Sequence, residues 1–169
     1  MTAGGRLRLL IWDACVLIDF YEADPALFRL IADHVGEVHV PLPVLAEVKQ
    51  LDESVAASLG ITVDDLPGEV LLEAAARRGG LSFEDRICLV AAAKNGWTCV
   101  TNDKALKNAC ADAKVQTLWG FEVLALLVEG GGLPADDARD LAKGMYERNR
   151  RLGAAVLQRF YRRIGLSVD

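Results

Sequence analysis

The chain has only two histidines in 169 residues, His34 and His39, and they do not form an H-x-x-x-H pair. That scarcity argues against a zinc site and against a Ser-His-Asp mechanism. A phosphate loop of the G-x-x-x-x-G-K type is missing, and the Gly triplet at 130–132 closes a helical pattern instead of opening one. Cysteines number four, at 15, 88, 99 and 110, with no C-x-x-C pair, and they read as reduced core thiols. No apolar run approaches the ~18–20 residues of a membrane span. The longest, "ICLVAAA" (87–93) and "VLALLV" (123–128), read as buried helix. The apolar run behind Arg6 and Arg8 stops at Asp13, too short for a signal peptide. The expectation is a cytoplasmic protein with no membrane segment. Its length suits one domain with a real core, and no repeat or low-complexity segment interrupts it.

Positive charge is scarce everywhere except near the C-terminus. Residues 1–138 carry eleven Lys or Arg against twenty-one acids, net −10, whereas residues 139–163 carry eight against two, net +6. An acidic body with a basic arm invites a phosphate-bearing partner. A solvated amphipathic helix pair accounts for the same pattern.

What is present is an alternation of strand and helix patterns. "RLRLLIW" (6–12), "EVHVPL", "ITVDDL", "WTCVT" and "VQTLW" have strand length and composition. Between them stand helical patterns: "ACVLIDFYEADPALFRLIADHV" with a start signal at Asp24-Pro25, "PVLAEVKQL", "GEVLLEAAARRGG", "SFEDRICLVAAAKNG" and "DKALKNACADA". "GFEVLALLVEGGG" follows the last strand, and "LPADDARDLAKGMYERNRR" and "AAVLQRFYRRIG" make a helical tail. Such alternation predicts an α/β fold, three layers α/β/α around a mainly parallel sheet, with a C-terminal helical extension.

Four carboxylates occupy distinctive places in this pattern. Asp13 ends the first strand and Asp103 ends the fourth, and parallel α/β sheets build sites outside the carboxyl ends of strands. Glu47 lies on the expected helix after "HVPLP", and Asp85 opens the most apolar helix. If the four converge, they repel unless a divalent cation sits among them. Hard oxygen donors suit Mg²⁺ or Mn²⁺, as one ion or as a pair roughly 3.5–4 Å apart that activates water and clamps a phosphate. Each acid also has a structural reading. Asp85 with Ser82 spells a capping box, Asp103 suits a helix cap, and Glu47 suits an exposed helix position. Asp13, with apolar residues on both sides, is the hardest to explain without a partner, because burying a lone carboxylate is costly.

In order and spacing the set resembles the PIN domain, a metal-dependent ribonuclease fold found in the toxin half of many bacterial toxin–antitoxin pairs. "LLIWDACVLIDF" resembles its opening strand, Asp and apolar helix, and "VPLPVLAEV" its proline turn and Glu. "DRICLVAAAKNG" and "VTND" resemble its third and fourth acidic motifs. The resemblance covers roughly residues 7–125. It implies a PIN-like nuclease domain over 1–130, with 131–169 as a helical extension packed on or extending the same domain. It implies Asp13, Glu47, Asp85 and Asp103 as Mg²⁺ or Mn²⁺ ligands and Thr101 as a supporting hydroxyl. It also implies RNA as substrate, an antitoxin protein as partner and assembly as a homodimer.

The chain departs from the family's pattern in two places. Ala14 and Cys15 stand where many relatives place Ser or Thr, and Phe83 stands where many place a further acid. Glu84 is adjacent but is expected to point elsewhere on the helix, which leaves a minimal acid set and puts a second ion in question. The competing reading is a non-catalytic PIN-like module that binds RNA or protein. A receiver domain is excluded, since it needs adjacent acids after the first strand and a Lys on the last, and "VQTLW" has none.

Overall fold

The computed structural model describes residues 8–167. Arg6 and Leu7, expected to begin the first strand, lie outside the described residues. Five strands, β1 (Arg8–Trp12), β2 (Gly36–Pro41), β3 (Ile61–Asp64), β4 (Thr98–Val100) and β5 (Thr117–Leu118), pair in the order β3-β2-β1-β4-β5, all parallel. β1 is the central strand. Its Leu10, Ile11 and Trp12 are fully buried, as a strand covered on both faces requires.

Helices α1 (Ala14–Ala23) and α2 (Leu27–His34) connect β1 to β2. Under them Trp12 meets Phe20 and Phe28 edge-on, with ring centroids 5.0 and 5.7 Å apart. The short α3 (Leu42–Leu45) and α4 (Glu53–Ser58) lead to β3; α5 (Gly68–Ala76) and α6 (Phe83–Asn95) lead to β4. Gly96, at φ +68°, closes α6 in the left-handed conformation that a side chain disfavours. α7 (Lys104–Asp112) and α8 (Gly120–Glu129) flank β5. These elements form a three-layer α/β/α fold.

The tail adds α9 (Ala135–Arg148), a 3₁₀ turn at Arg150–Leu152, and α10 (Ala154–Arg163). α9 packs against α1 and α8 and buries Ala138, Ala142 and Met145. α10 buries Leu157 and Phe160, the latter with its ring 5.5 Å from Phe121 of α8. The turn before α9 is built for close approach: a Cβ at Gly132 would lie 2.5 Å from Leu127 Cδ1 and 2.7 Å from the His34 ring. Residues 131–163 therefore share the core of the sheet domain. Their amphipathic spacing buries the apolar face and leaves most of the cations outside. Part of that positive charge is neutralised internally, by Arg163 on Glu129 at 2.8 Å and Arg139 on Asp136 at 3.6 Å. Among the described residues, no helix is long and apolar enough to cross a membrane.

Two expectations need correction. Glu47 does not lie on a continuing helix. After Leu45 the chain changes from the i−4 bond of Ala46 to i−3 bonds, Glu47 to Val44 and Val48 to Leu45, so Glu47 sits in a tight turn. The cysteines are all free, but Cys15 is exposed, while Cys88, Cys99 and Cys110 are buried.

Candidate metal centre

The chain runs β1 to β3 toward one edge of the sheet, then returns to place β4 on the other side of β1. The point where the direction reverses, between the carboxyl ends of β1 and β4, is where open α/β sheets form their crevices. Asp13 leaves β1 there, with its N–H on Val100 O at 3.2 Å. Asp103 leaves β4 three residues beyond its end. A cavity of about 140 Å³ opens between them, lined by Asp13, Glu47, Glu84, Asp85 and Asp103. All four predicted acids thus reach one cavity, and Glu84 joins them.

Asp13 is 4% exposed and its carboxylate is held at both oxygens. Oδ1 accepts the Val16 N–H at 2.9 Å, capping α1, and Oδ2 accepts the Thr101 hydroxyl. Even so, burial raises its pKa to about 6, with smaller upward contributions from Asp85 and Asp103. Thr101, fully buried, also accepts the Asp103 N–H at 2.9 Å. One hydroxyl therefore links the ends of β1 and β4.

Asp103 caps α7 as the sequence allowed. Its Oδ1 accepts from Ala105 N and Leu106 N at 2.7 and 3.3 Å, and the other oxygen takes no part in the cap. Asp85 does not cap α6. Ser82 does, accepting the Asp85 N–H at 3.1 Å, and the Asp85 carboxyl lines the cavity. Burial raises the Asp85 pKa, and Asp103 and Glu84 raise it further against the lowering effect of Ser82.

Glu47 is exposed, as its structural reading allowed, but stands at the cavity rim. Its pKa is raised by partial desolvation first, then by Glu84 and Asp85. Glu84 was expected to point away; the structure corrects this. In the first turn of α6, facing the tight turn that carries Glu47, it adds a fifth carboxyl to the cavity wall. The signal available in the sequence was an acid beside the expected one, but only the fold of residues 42–48 brings Glu47 against it.

Cys15 and Cys88 also line the cavity. Burial pushes the Cys15 thiol up to about 11 and the Cys88 thiol well above its usual range. Both stay protonated at neutral pH, so the wall offers carboxylate oxygen and not thiolate sulfur. That donor set fits a hard divalent cation, Mg²⁺ or Mn²⁺. Among the described residues, no three of the acids close to coordinating distance. Burial raises the pKa values of Asp13, Glu47 and Asp85, and neighbouring carboxylates raise them further. Compared with known proteins, the sequence matches no family model and no curated relative.

Proposed function

We propose that the protein is a Mg²⁺- or Mn²⁺-dependent endoribonuclease of PIN type, hydrolysing phosphodiester bonds of single-stranded RNA, and that it serves as the cytoplasmic toxin of a toxin–antitoxin pair. The observation that carries the catalytic part is the convergence of Asp13, Glu47, Asp85 and Asp103 on one cavity at the β1/β4 reversal. RNA as substrate, the antitoxin partner and a homodimeric state follow from the resemblance of the four acidic motifs.

In this reading Asp13, Asp85 and Asp103 hold the cation, with Glu47 and Glu84 at the rim. The bound ion supplies a water of lowered pKa and a clamp for the scissile phosphate. Thr101 orients Asp13 and ties it to Asp103, so both ligands keep their spacing when the charge between them changes. Asp103 is fixed by two α7 amides through one oxygen, which leaves the other for the cation. Glu47 at the rim, its pKa raised by desolvation and by Glu84 and Asp85, would serve as a proton acceptor beside such a water. Incubation of the purified protein with a labelled single-stranded RNA should give Mn²⁺-dependent cleavage that EDTA stops. Cleavage that survives in chelator, in a preparation free of other nucleases, overturns the metal mechanism.

A further inference from the structure

A second cavity, of about 360 Å³, lies between α7, α8 and α10. Its walls carry Lys107, Arg159 and Arg163 as cations and Trp119, Phe121 and Phe160 as aromatics. We infer that this groove is the RNA-strand subsite of the enzyme, seating one unpaired base against Trp119 and the adjoining phosphate on Arg159. The inference rests on the ribonuclease reading of the acid cavity.

Three observations favour that occupant. The first is placement. Trp119 directly follows β5, at the same carboxyl edge of the sheet as the acids. Lys107 stands four residues after Asp103, one turn or about 6 Å along α7 and on the same helical face.

The second is charge. The body of the protein is acidic, and the groove brings Lys107, Arg159 and Arg163 together against Glu122 on its wall and Glu129 beside Arg163. Glu122 is already engaged, with Lys107 at 3.7 Å, Arg163 at 4.0 Å and the Trp119 N–H at 3.0 Å. Arg163 is further anchored on Glu129, whereas Arg159 is exposed and pairs with no acid among the described residues. Arg159 is therefore the guanidinium open to an anion, with a planar fork suited to a phosphate.

The third is the aromatic surface. Trp119 is only partly buried and is the accessible aromatic of the groove, with the Lys107 ammonium over one face at 3.8 Å from its ring centroid, while Phe121 and Phe160 are buried against each other. A basic groove with an aromatic wall is the arrangement by which single-stranded nucleic acid is bound with little sequence preference. An acidic peptide would use the cations and leave the aromatic wall without a role.

The test separates binding from cleavage. A fluorescent single-stranded oligoribonucleotide is titrated in EDTA with the full chain, its Arg159→Gln variant, its Trp119→Leu variant and, as a control, Asp85→Asn. Arg159 is exposed, so Arg159→Gln leaves the fold intact. It should weaken binding and flatten the log K against log[salt] slope by about 0.7, the share of one single-strand phosphate. Trp119→Leu should weaken binding by about 5- to 100-fold, as loss of one stacked base does. Asp85→Asn should bind at least as well as the wild type, since it removes only a repelling charge. Equal binding by wild type and both groove variants overturns the subsite, even if Mn²⁺-dependent cleavage is intact. Weakened binding in both groove variants with no cleavage by the wild type keeps the subsite and rejects the nuclease. Binding of an acidic peptide in place of RNA, lost in Arg159→Gln but not in Trp119→Leu, assigns the groove to a protein partner and overturns the inference.

Discussion

The buried Thr101 hydroxyl donates to Oδ2 of Asp13, across the gap between the ends of β4 and β1. The Thr101 Oγ1 in turn accepts the Asp103 N–H at 2.9 Å, so two proposed cation ligands share one support. Thr101→Val keeps the shape and removes both bonds. A buried group left unpaired costs about 1–3 kcal/mol, and the metal-free protein should melt lower by a corresponding amount. Asp13 loses an interaction that lowers its pKa, so Mn²⁺ should also bind more weakly near pH 6. Thr101→Ser restores the hydroxyl and should recover most of both losses; thermal melts with and without Mn²⁺ measure them.

Asp85 distinguishes a structural carboxylate from a ligand. The α6 cap runs from Ser82 to the Asp85 backbone N–H and survives in Asp85→Asn. The substitution removes a charge that Asp103 and Glu84 oppose, so the metal-free variant should be as stable as the wild type or more stable. Cleavage should be lost. Saturating Mn²⁺ at about 100 times Kd should stabilise the wild type by roughly 2.7 kcal/mol and the variant by clearly less. Calorimetric scans over a Mn²⁺ series show the difference.

A third expectation concerns pH, away from the acid cavity. His39 on β2 lies between Asp64 at 2.9 Å and Glu37 at 3.0 Å, with its ring 5.4 Å from that of Trp97. Bonding to Asp64 raises its pKa, against the opposing effect of burial. A raised folded pKa means that the charged pair contributes stability that is full below the unfolded value of about 6.5. That contribution is lost as pH rises through the higher folded value. Urea titrations of wild type and His39→Gln should therefore differ most at pH 5–6 and converge toward alkaline pH.

The order of strands and helices was legible because each alternates its apolar pattern with a cap or glycine stop, as at Ser82 and Gly96. Asp13 was legible for the opposite reason: a carboxylate between Trp12 and an apolar helix violates the local pattern. Glu47 lines the cavity, but from a turn and not from the expected helix. The i−4 and i−3 bonding that decide between helix and turn after Leu45 differ too little in sequence preference to be read. Glu84 was hidden because its neighbour across the cavity, Glu47, is 37 positions away in sequence. The basic groove was hidden likewise: Lys107, Trp119 and Arg159 meet only through the docking of α10 on α8.

That docking has its own consequence. Phe160 is 4% exposed and packs on Phe121. Phe160→Ala should cost about 3–5 kcal/mol, in the range for large buried aromatics. Truncation after Gly131 should give an unstable chain, since α1 and α8, against which α9 packs, and Phe121 of α8, which stacks on Phe160, lose cover. Denaturant midpoints for Phe160→Ala and the solubility of the truncated chain test whether the extension belongs to the core.

The converging carboxylates are proposed to hold a cation that cleaves RNA. The most direct test is the rate of cleavage of one single-stranded RNA by wild type, Asp13→Asn and Asp85→Asn, each in Mn²⁺ and in EDTA. Cleavage by the wild type in Mn²⁺ alone, with both variants folded and inactive, is the predicted result. Full activity in Asp85→Asn, or an Asp13→Asn protein whose only defect is a lower melting temperature, would contradict it and leave Asp13 as the cap of α1 and a buried structural charge.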